Sequence, residues 1–200
     1  IPSAPSARSA EVPQVSNAAT GQLISIKTDT LELLIDPHGG DIVKVALPKH
    51  LEFIDTPDQP FILLNRTQDN IYIAQSGLIG PNGTDTATTR PVFTSAQPVY
   101  QLADGADTLS VDLNYQQGDV TITKRFTFRR GDYLVNMQYL INNRSSEDWR
   151  GTLFAQIKRD SHNPVVVDGF GMSPYLGAAI TTPDNNYKKL DFEDLADRDL

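Results

Sequence analysis

The chain has 200 residues, of which 39% are hydrophobic and 21% are charged, an ordinary composition for one globular domain with its own core. Its formal net charge of −8 argues against binding to nucleic acid and against charge-driven attachment to an anionic membrane surface. The absence of cysteine excludes disulfides, cysteine-ligated zinc and thiol catalysis.

The N-terminal segment, residues 1–22, is rich in Ala, Ser, Pro and Thr and almost free of large apolar side chains. Such a segment cannot bury enough surface to offset the entropy lost on ordering, so we expect a flexible linker. It has neither the basic start nor the apolar centre of a signal peptide. No apolar run in the sequence reaches the length of a transmembrane helix.

The stretch LELLIDPHGGDIVKVALP, residues 31–48, holds a double glycine between two apolar runs. It predicts two strands joined by a reversal at Gly39 and Gly40, where glycine's freedom at positive φ is needed. Neither the Lys-Ser/Thr pair of a phosphate loop nor the spacing of a dinucleotide fingerprint follows. The polar residues at the reversal match no standard metal-ligand spacing, so a solvated turn is favoured for Asp36, His38 and Asp41.

Helical patterns are scarce. Residues 63–77 are compatible with one short helical turn, and residues 189–200 have apolar residues near helical spacing that suggest a short terminal helix. Residues 76–91 are dense in Gly, Thr, Asn and Pro and predict a long surface loop.

Alternation of apolar and polar residues is clearest between residues 109 and 158. Four successive rows are predicted to face one way: Leu109, Val111, Leu113 and Tyr115; Val120, Ile122, Lys124, Phe126 and Phe128; Tyr133, Val135, Met137, Tyr139 and Ile141; Trp149, Leu153, Ala155 and Ile157. The turn sequences QQGD, RRGD and NNRSSED separate them. This pattern predicts an antiparallel meander in an all-β sandwich or open barrel, and makes RRGD, with Gly131, a hairpin turn rather than an adhesion motif.

The sequence marks no catalytic pair, metal site or cofactor site. A zinc site would need His38, His50 and His162 to converge, yet all three lie in loop-like sequence. Three strand aromatics are candidates for stacking on a sugar, but aromatics in alternating strands usually pack the core, and that interpretation is favoured for Tyr115, Tyr139 and Trp149.

Four stretches carry a family resemblance: GQLISIKTDTLELLIDPHGGDIVKVALP, FILLNRTQDNIYIAQSGLIG, KRFTFRRGDYLVNMQYLINN and GAAITTPDNNYKKLDFEDL. In this order they resemble the large periplasmic domain of YidC, the Gram-negative inner-membrane insertase of the YidC/Oxa/Alb family, from about Gly21 to Leu200. The resemblance implies a β-supersandwich of mostly antiparallel strands with few short helices, similar to galactose mutarotase. It also implies that residues 1–22 follow a missing transmembrane helix, and that the domain of residues 23–200 is truncated at its C-terminus.

The implied function is that of a non-catalytic scaffold module at the periplasmic face of the inner membrane. It would assist insertion and folding of inner-membrane proteins, with or without the Sec translocon. Implied partners are SecDF and the Sec translocon, and nascent membrane proteins through a transmembrane core outside this sequence. The SecDF contact maps loosely to residues 162–200, where the candidate contact residues are His162, Tyr175, Tyr187 and Phe192.

The alternative is a carbohydrate-binding or mutarotase-like sandwich with a small molecule or glycan in its cleft. Mutarotase chemistry needs a general acid and base, typically His and Glu, across a concave sheet face. The histidines here lie in loop-like sequence, and no such pair is suggested.

Overall fold

A computed structural model describes residues 21–68, 70–161, 175 and 177–192. The chain divides into two compact units between Arg159 and Asp160. In the described part of the first unit the strands are β1 (Ile24–Lys27), β2 (Glu32–Asp36), β3 (Asp41–Leu51), β4 (Pro60–Arg66), β5 (Ile71–Ile79), β6 (Thr94–Ser95), β7 (Val99–Gln101), β8 (Thr108–Gln117), β9 (Val120–Arg129), β10 (Asn136–Asn143) and β11 (Thr152–Arg159).

The strands of the first unit form two sheets. A seven-stranded sheet has the order β11-β5-β4-β3-β2-β1-β7, and a four-stranded sheet has the order β10-β9-β8-β6. The pairings are antiparallel except for β1 with β7, which is parallel. This confirms the all-β prediction.

The core lies between the two sheets. One cluster of buried apolar side chains joins residues of both: Ile24, Ile26, Leu33, Ile35 and Val45 from the seven-stranded sheet, and Val111, Leu113, Ile122, Phe126 and Phe128 from the four-stranded sheet. Within a strand these residues are separated by two or four positions, because successive side chains of a strand point to opposite faces. The first unit is therefore a β-sandwich.

The predicted meander is confirmed for β8, β9 and β10, which pair in sequence order. The continuation into β11 is wrong, because β11 pairs with β5 in the other sheet. Leu153 and Ile157 of the predicted row are exposed there. An alternating pattern predicts a strand and its two faces, but not which free sheet edge the strand will join.

The RRGD sequence begins at Arg129, the last residue of β9, and leads toward β10; Gly131 has a φ of +73°. The Gly131 N–H donates to the Asp29 carboxylate at 3.0 Å, and the Tyr133 N–H donates to Asp132 Oδ1 at 2.8 Å. These bonds hold the segment out of the ladder, so β10 begins at Asn136 rather than at Tyr133.

The predicted helical turn in residues 63–77 is wrong. This stretch contains the end of β4 and most of β5. Thr67 N–H donates to the Asn70 carbonyl at 2.8 Å and closes the connection between them. The β-branched and aromatic side chains of Ile71, Tyr72 and Ile73 favour the strand over the weak helical spacing.

The second unit contains an antiparallel hairpin of β12 (Gly177–Thr182) and β13 (Asn185–Asp191). Residues 189–191 lie in β13, so the helix expected over residues 189–200 does not include them. Residues 193–200, like residues 1–20 of the expected linker, lie outside the described residues.

Candidate functional site

The double glycine forms the reversal between β2 and β3. Gly39 and Gly40 have φ values of +80° and +65°, a conformation that side chains with a Cβ rarely adopt. The segment that precedes β6 runs beside this turn. The Gly39 N–H donates to the Pro91 carbonyl at 2.8 Å, and the Phe93 N–H donates to the Pro37 carbonyl at 2.9 Å. The turn is therefore packed against a second stretch of chain.

The expectation of a solvated turn is wrong for the two aspartates. Asp36 is buried and accepts from Arg66 NH2 at 2.6 Å and from the His38 N–H at 2.9 Å. Asp41 is buried and paired with Arg90. Turn residues usually face water, but these two begin or end strands whose flanking segments cover them.

Arg90 lies at the centre of the buried polar groups. Its NH1 donates to Asp41 Oδ2, its Nε donates to Asp85 Oδ1 at 2.8 Å, and its NH2 donates to the Ser76 carbonyl at 2.8 Å. Burial lowers the pKa of the Arg90 guanidinium, but Asp41 and Asp85 outweigh that effect and hold its pKa above the ordinary value. The guanidinium therefore stays charged inside the protein.

The surface loop predicted for residues 76–91 is only partly correct. β5 extends to Ile79, and the remaining loop buries Asp85 and Arg90 instead of exposing them. Asp85 also accepts from the Leu78 N–H at 3.0 Å and from Thr84 Oγ1 at 2.9 Å. These bonds fold the loop back onto the end of β5.

Lys124 is fully buried among these groups. Its Nζ donates to the Gly39 carbonyl at 2.9 Å and to the Ser76 carbonyl at 3.1 Å, and it lies 5.6 Å from the ring centres of Phe126 and Tyr139. Burial lowers the pKa of Lys124 to about 7, against a partial opposing effect of Asp41. We call Asp41, Asp85, Arg90 and Lys124 the buried charge cluster.

Two glutamines extend the cluster toward β11. Gln75 Nε2 donates to Asp41 Oδ2 at 3.1 Å, and Gln156 Nε2 donates to Gln75 Oε1. Among the described residues, the buried side-chain atoms without a hydrogen-bond partner are Asp41 Oδ1 and Tyr139 Oη. Burial has the larger effect on the pKa of the Tyr139 hydroxyl and raises it, and the nearby Asp85 carboxylate raises it further. This group therefore stays protonated.

The buried charge cluster holds two carboxylates and two basic groups that bind one another and backbone carbonyls. The described part of the chain contains no group of three or more His, Asp or Glu residues placed to hold a metal ion. His38 belongs to the double-glycine turn, whereas His50 Nε2 lies 2.9 Å from Tyr133 Oη. His162 lies outside the described residues. Through Arg90 and Lys124, these contacts join the double-glycine turn to β5 and to the loop that follows it.

A cleft of about 340 Å³ opens beside the cluster, between the two sheets. It is lined by Gly40, Ile42, Ala74, Gln75, Ser76, Phe126, Val135, Met137, Ala155, Gln156 and Ile157. The three candidate stacking aromatics are not among these residues. Tyr115, Tyr139 and Trp149 pack against the core instead, as the favoured interpretation of the sequence expected.

Lys124 is the member of the buried charge cluster whose burial the sequence pattern indicates. Lys124 occupies an inward position between Ile122 and Phe126, and in an alternating strand that position predicts burial. A buried lysine needs partners, so the row itself pointed to a polar interior. No comparable signal marked Asp85 or Arg90, because loop sequence has no regular period.

Lys124 predicts a pH dependence of stability. Its pKa is about 7 in the folded chain and returns to the ordinary 10.5 on unfolding, so between these values the unfolded state binds more protons. The free energy of unfolding should therefore rise with pH between pH 7 and 9, by up to about 1.4 kcal/mol per pH unit. Lys124→Met should lack this rise. Urea titrations of both proteins at several pH values measure it, and parallel pH profiles would contradict it.

The candidate contact residues lie in the second unit. Tyr187 on β13 is exposed, and Tyr175 is exposed with Lys189 Nζ at 4.6 Å from its ring centre. Phe192 directly follows β13.

No helix in the described ranges is both long enough and apolar enough to cross a membrane.

Residues 23–200 match the family model described as the YidC periplasmic domain. Three similar proteins are each named membrane protein insertase YidC. That of Cellvibrio japonicus is 52% identical over 98% of this chain and 36% of its own length. That of Alcanivorax borkumensis is 43% identical over 98% of this chain and 34% of its own length. That of Pseudomonas putida is 46% identical over 98% of this chain and 35% of its own length. The chain thus spans about a third of these relatives.

Proposed function

Because this chain belongs to the YidC periplasmic domain family, we propose that it serves as the non-catalytic periplasmic module of a membrane protein insertase. The match over residues 23–200 carries this proposal. The module would stand on the periplasmic face of the bacterial inner membrane. There it would assist the insertion and folding of membrane proteins, with or without the Sec translocon, while a transmembrane part of the protein receives the substrate.

A scaffold role is supported by the chemistry of the buried charge cluster. Arg90 binds two carboxylates and a carbonyl, and Lys124 binds two carbonyls. Groups engaged in this way are bound inside the sandwich and are not presented to a substrate. The module would act through its surface, by contact with other proteins.

The partner proposed for the second unit is SecDF, through a surface that includes His162, Tyr175, Tyr187 and Phe192. Tyr187 is the best placed of the described residues for a test, since it is 66% exposed and lies on β13. Aromatic side chains are enriched where proteins bind one another, because they bury a large area with little loss of conformational entropy.

Site-specific photocrosslinking tests this assignment. A photoreactive amino acid in place of Tyr187, in the full-length protein in its native membrane, should form an adduct that antibodies identify as SecD or SecF. The matched control is the same substitution at Tyr133, which is 43% exposed but lies in the first unit. Equal adduct formation from both positions, or none from Tyr187 at normal expression, would rule out this contact.

A further inference from the structure

The tip of the β3–β4 hairpin exposes large apolar side chains. Phe53 is 63% exposed and Ile54 is 92% exposed, and Leu51 and Phe61 on the flanking strands are also exposed. Single exposed apolar residues are common on protein surfaces, but adjacent large ones at a projecting tip are typical of an interaction site.

Hydrogen bonds hold this tip in a defined conformation. The Glu52 N–H donates to the Gln59 carbonyl at 3.0 Å, and the Gln59 N–H donates to the Thr56 carbonyl at 3.1 Å. The Phe53 carbonyl accepts from the Thr56 N–H at 3.1 Å and from Thr56 Oγ1 at 3.2 Å. A surface that is ordered before binding loses less entropy when a partner arrives.

The charges around the tip have one sign. Glu52, Asp55 and Asp58 are exposed there, and residues 51–65 contain no lysine or arginine. The preceding Lys49 is bound to Asp29, with Nζ 2.9 Å from Oδ2. The tip therefore combines an apolar centre with an acidic rim.

We propose that the tip of the β3–β4 hairpin, residues 51–58, is a docking site for a protein segment that is apolar on one face and carries lysine or arginine beside it. Apolar burial of Phe53 and Ile54 would supply affinity, and the three carboxylates would orient the basic residues of the partner. A bilayer with anionic lipids is the poorer fit, because its negative surface repels an acidic rim. This site lies in the first unit and does not depend on the SecDF assignment.

Titration of the 200-residue chain with two synthetic amphipathic peptides tests the proposal. One peptide consists of leucine and lysine, and its twin has glutamate in place of lysine. NMR amide shifts should move at residues 51–58 with the lysine peptide and not with its twin. The double variant Phe53→Ser/Ile54→Ser should bind the lysine peptide at least about tenfold more weakly, since each buried side chain of this size carries about that factor.

The control is Val92→Ser/Val99→Ser, which removes side chains that are 57% and 59% exposed, beside His38 and Ser25 and away from the hairpin tip, and it should bind like the unaltered chain. Glu52→Gln/Asp55→Asn/Asp58→Asn should weaken binding and abolish its dependence on salt. Equal binding of the two peptides, equal loss in the control, or shifts spread away from the tip would overturn the proposal. So would binding to phosphatidylglycerol vesicles that requires Phe53 and Ile54, because that result assigns the tip to a membrane.

Discussion

Replacing Arg90 with methionine should lower the free energy of unfolding by about 3–5 kcal/mol, the range found when one partner of a buried ion pair is removed. The substitution keeps the size of the aliphatic side chain but leaves the Asp41 and Asp85 carboxylates buried without their cation. Both acids and Arg90 are buried in the folded chain. Without Arg90, both carboxylates keep the cost of burial and lose their cationic partner.

Denaturant titration at neutral pH measures this loss, provided that the slope of the transition stays unchanged. Arg125→Met is the matched control. Arg125 also binds an aspartate through two nitrogens, with Nε 2.7 Å from Asp112 Oδ1 and NH2 2.6 Å from Asp112 Oδ2, but this pair faces solvent. Its loss should be far smaller, because solvent screens exposed ion pairs. An equal loss of unfolding free energy in Arg90→Met and Arg125→Met would show that the burial of Arg90 does not increase the cost of removing it.

Replacing Gly39 with alanine should lower the free energy of unfolding by about 3 kcal/mol or more. A Cβ at this position would overlap the Arg90 guanidinium at Cζ and NH1. A flexible side chain elsewhere would move aside, but this guanidinium is held by three partners and is buried. The substitution therefore adds the loss of these bonds to the cost of about 1–2 kcal/mol for a Cβ at positive φ.

Gly118→Ala separates the two contributions. Gly118 lies in the two-residue loop between β8 and β9 at a φ of +58°, and a Cβ there meets nothing within 4 Å. Gly118→Ala should therefore lower the free energy of unfolding only by the backbone contribution, about 1–2 kcal/mol. In a double-mutant cycle, Gly39→Ala should cost much less when Arg90 is already methionine. Strict additivity of these two substitutions would show that the glycine acts through its backbone alone.

The double-glycine turn shows what the local sequence predicts and what it does not. The flanking apolar runs and the glycine pair predicted two strands and a reversal, and β2 and β3 lie where they were expected. The same reasoning placed Asp36 and Asp41 in solvent, because a turn with Asp and Gly is usually exposed. Their burial depends on Arg66 and Arg90, which approach from 30 and 49 residues away. No local pattern contains that information.

β11 shows the same limit on a larger scale. Its alternation predicted a strand, and a strand formed. The choice of β5 over β10 as its partner follows from which sheet edge the chain reaches after residues 144–151. Free edges offer the same backbone hydrogen bonds to any strand, so the difference lies in side-chain contacts across the edge, such as that of Gln156 with Gln75.

The sequence by itself determined the all-β class, the positions of the glycine reversals and the family, because alternation and turn chemistry act between neighbouring residues. The tertiary structure alone decided that Asp41, Asp85, Arg90 and Lys124 meet in one buried cluster, and that Phe53 and Ile54 remain outside the core. Both outcomes depend on which distant segments cover a side chain. Burial sets the free energy of a charge or an apolar group, and it is a property of the assembled sheets rather than of any single strand.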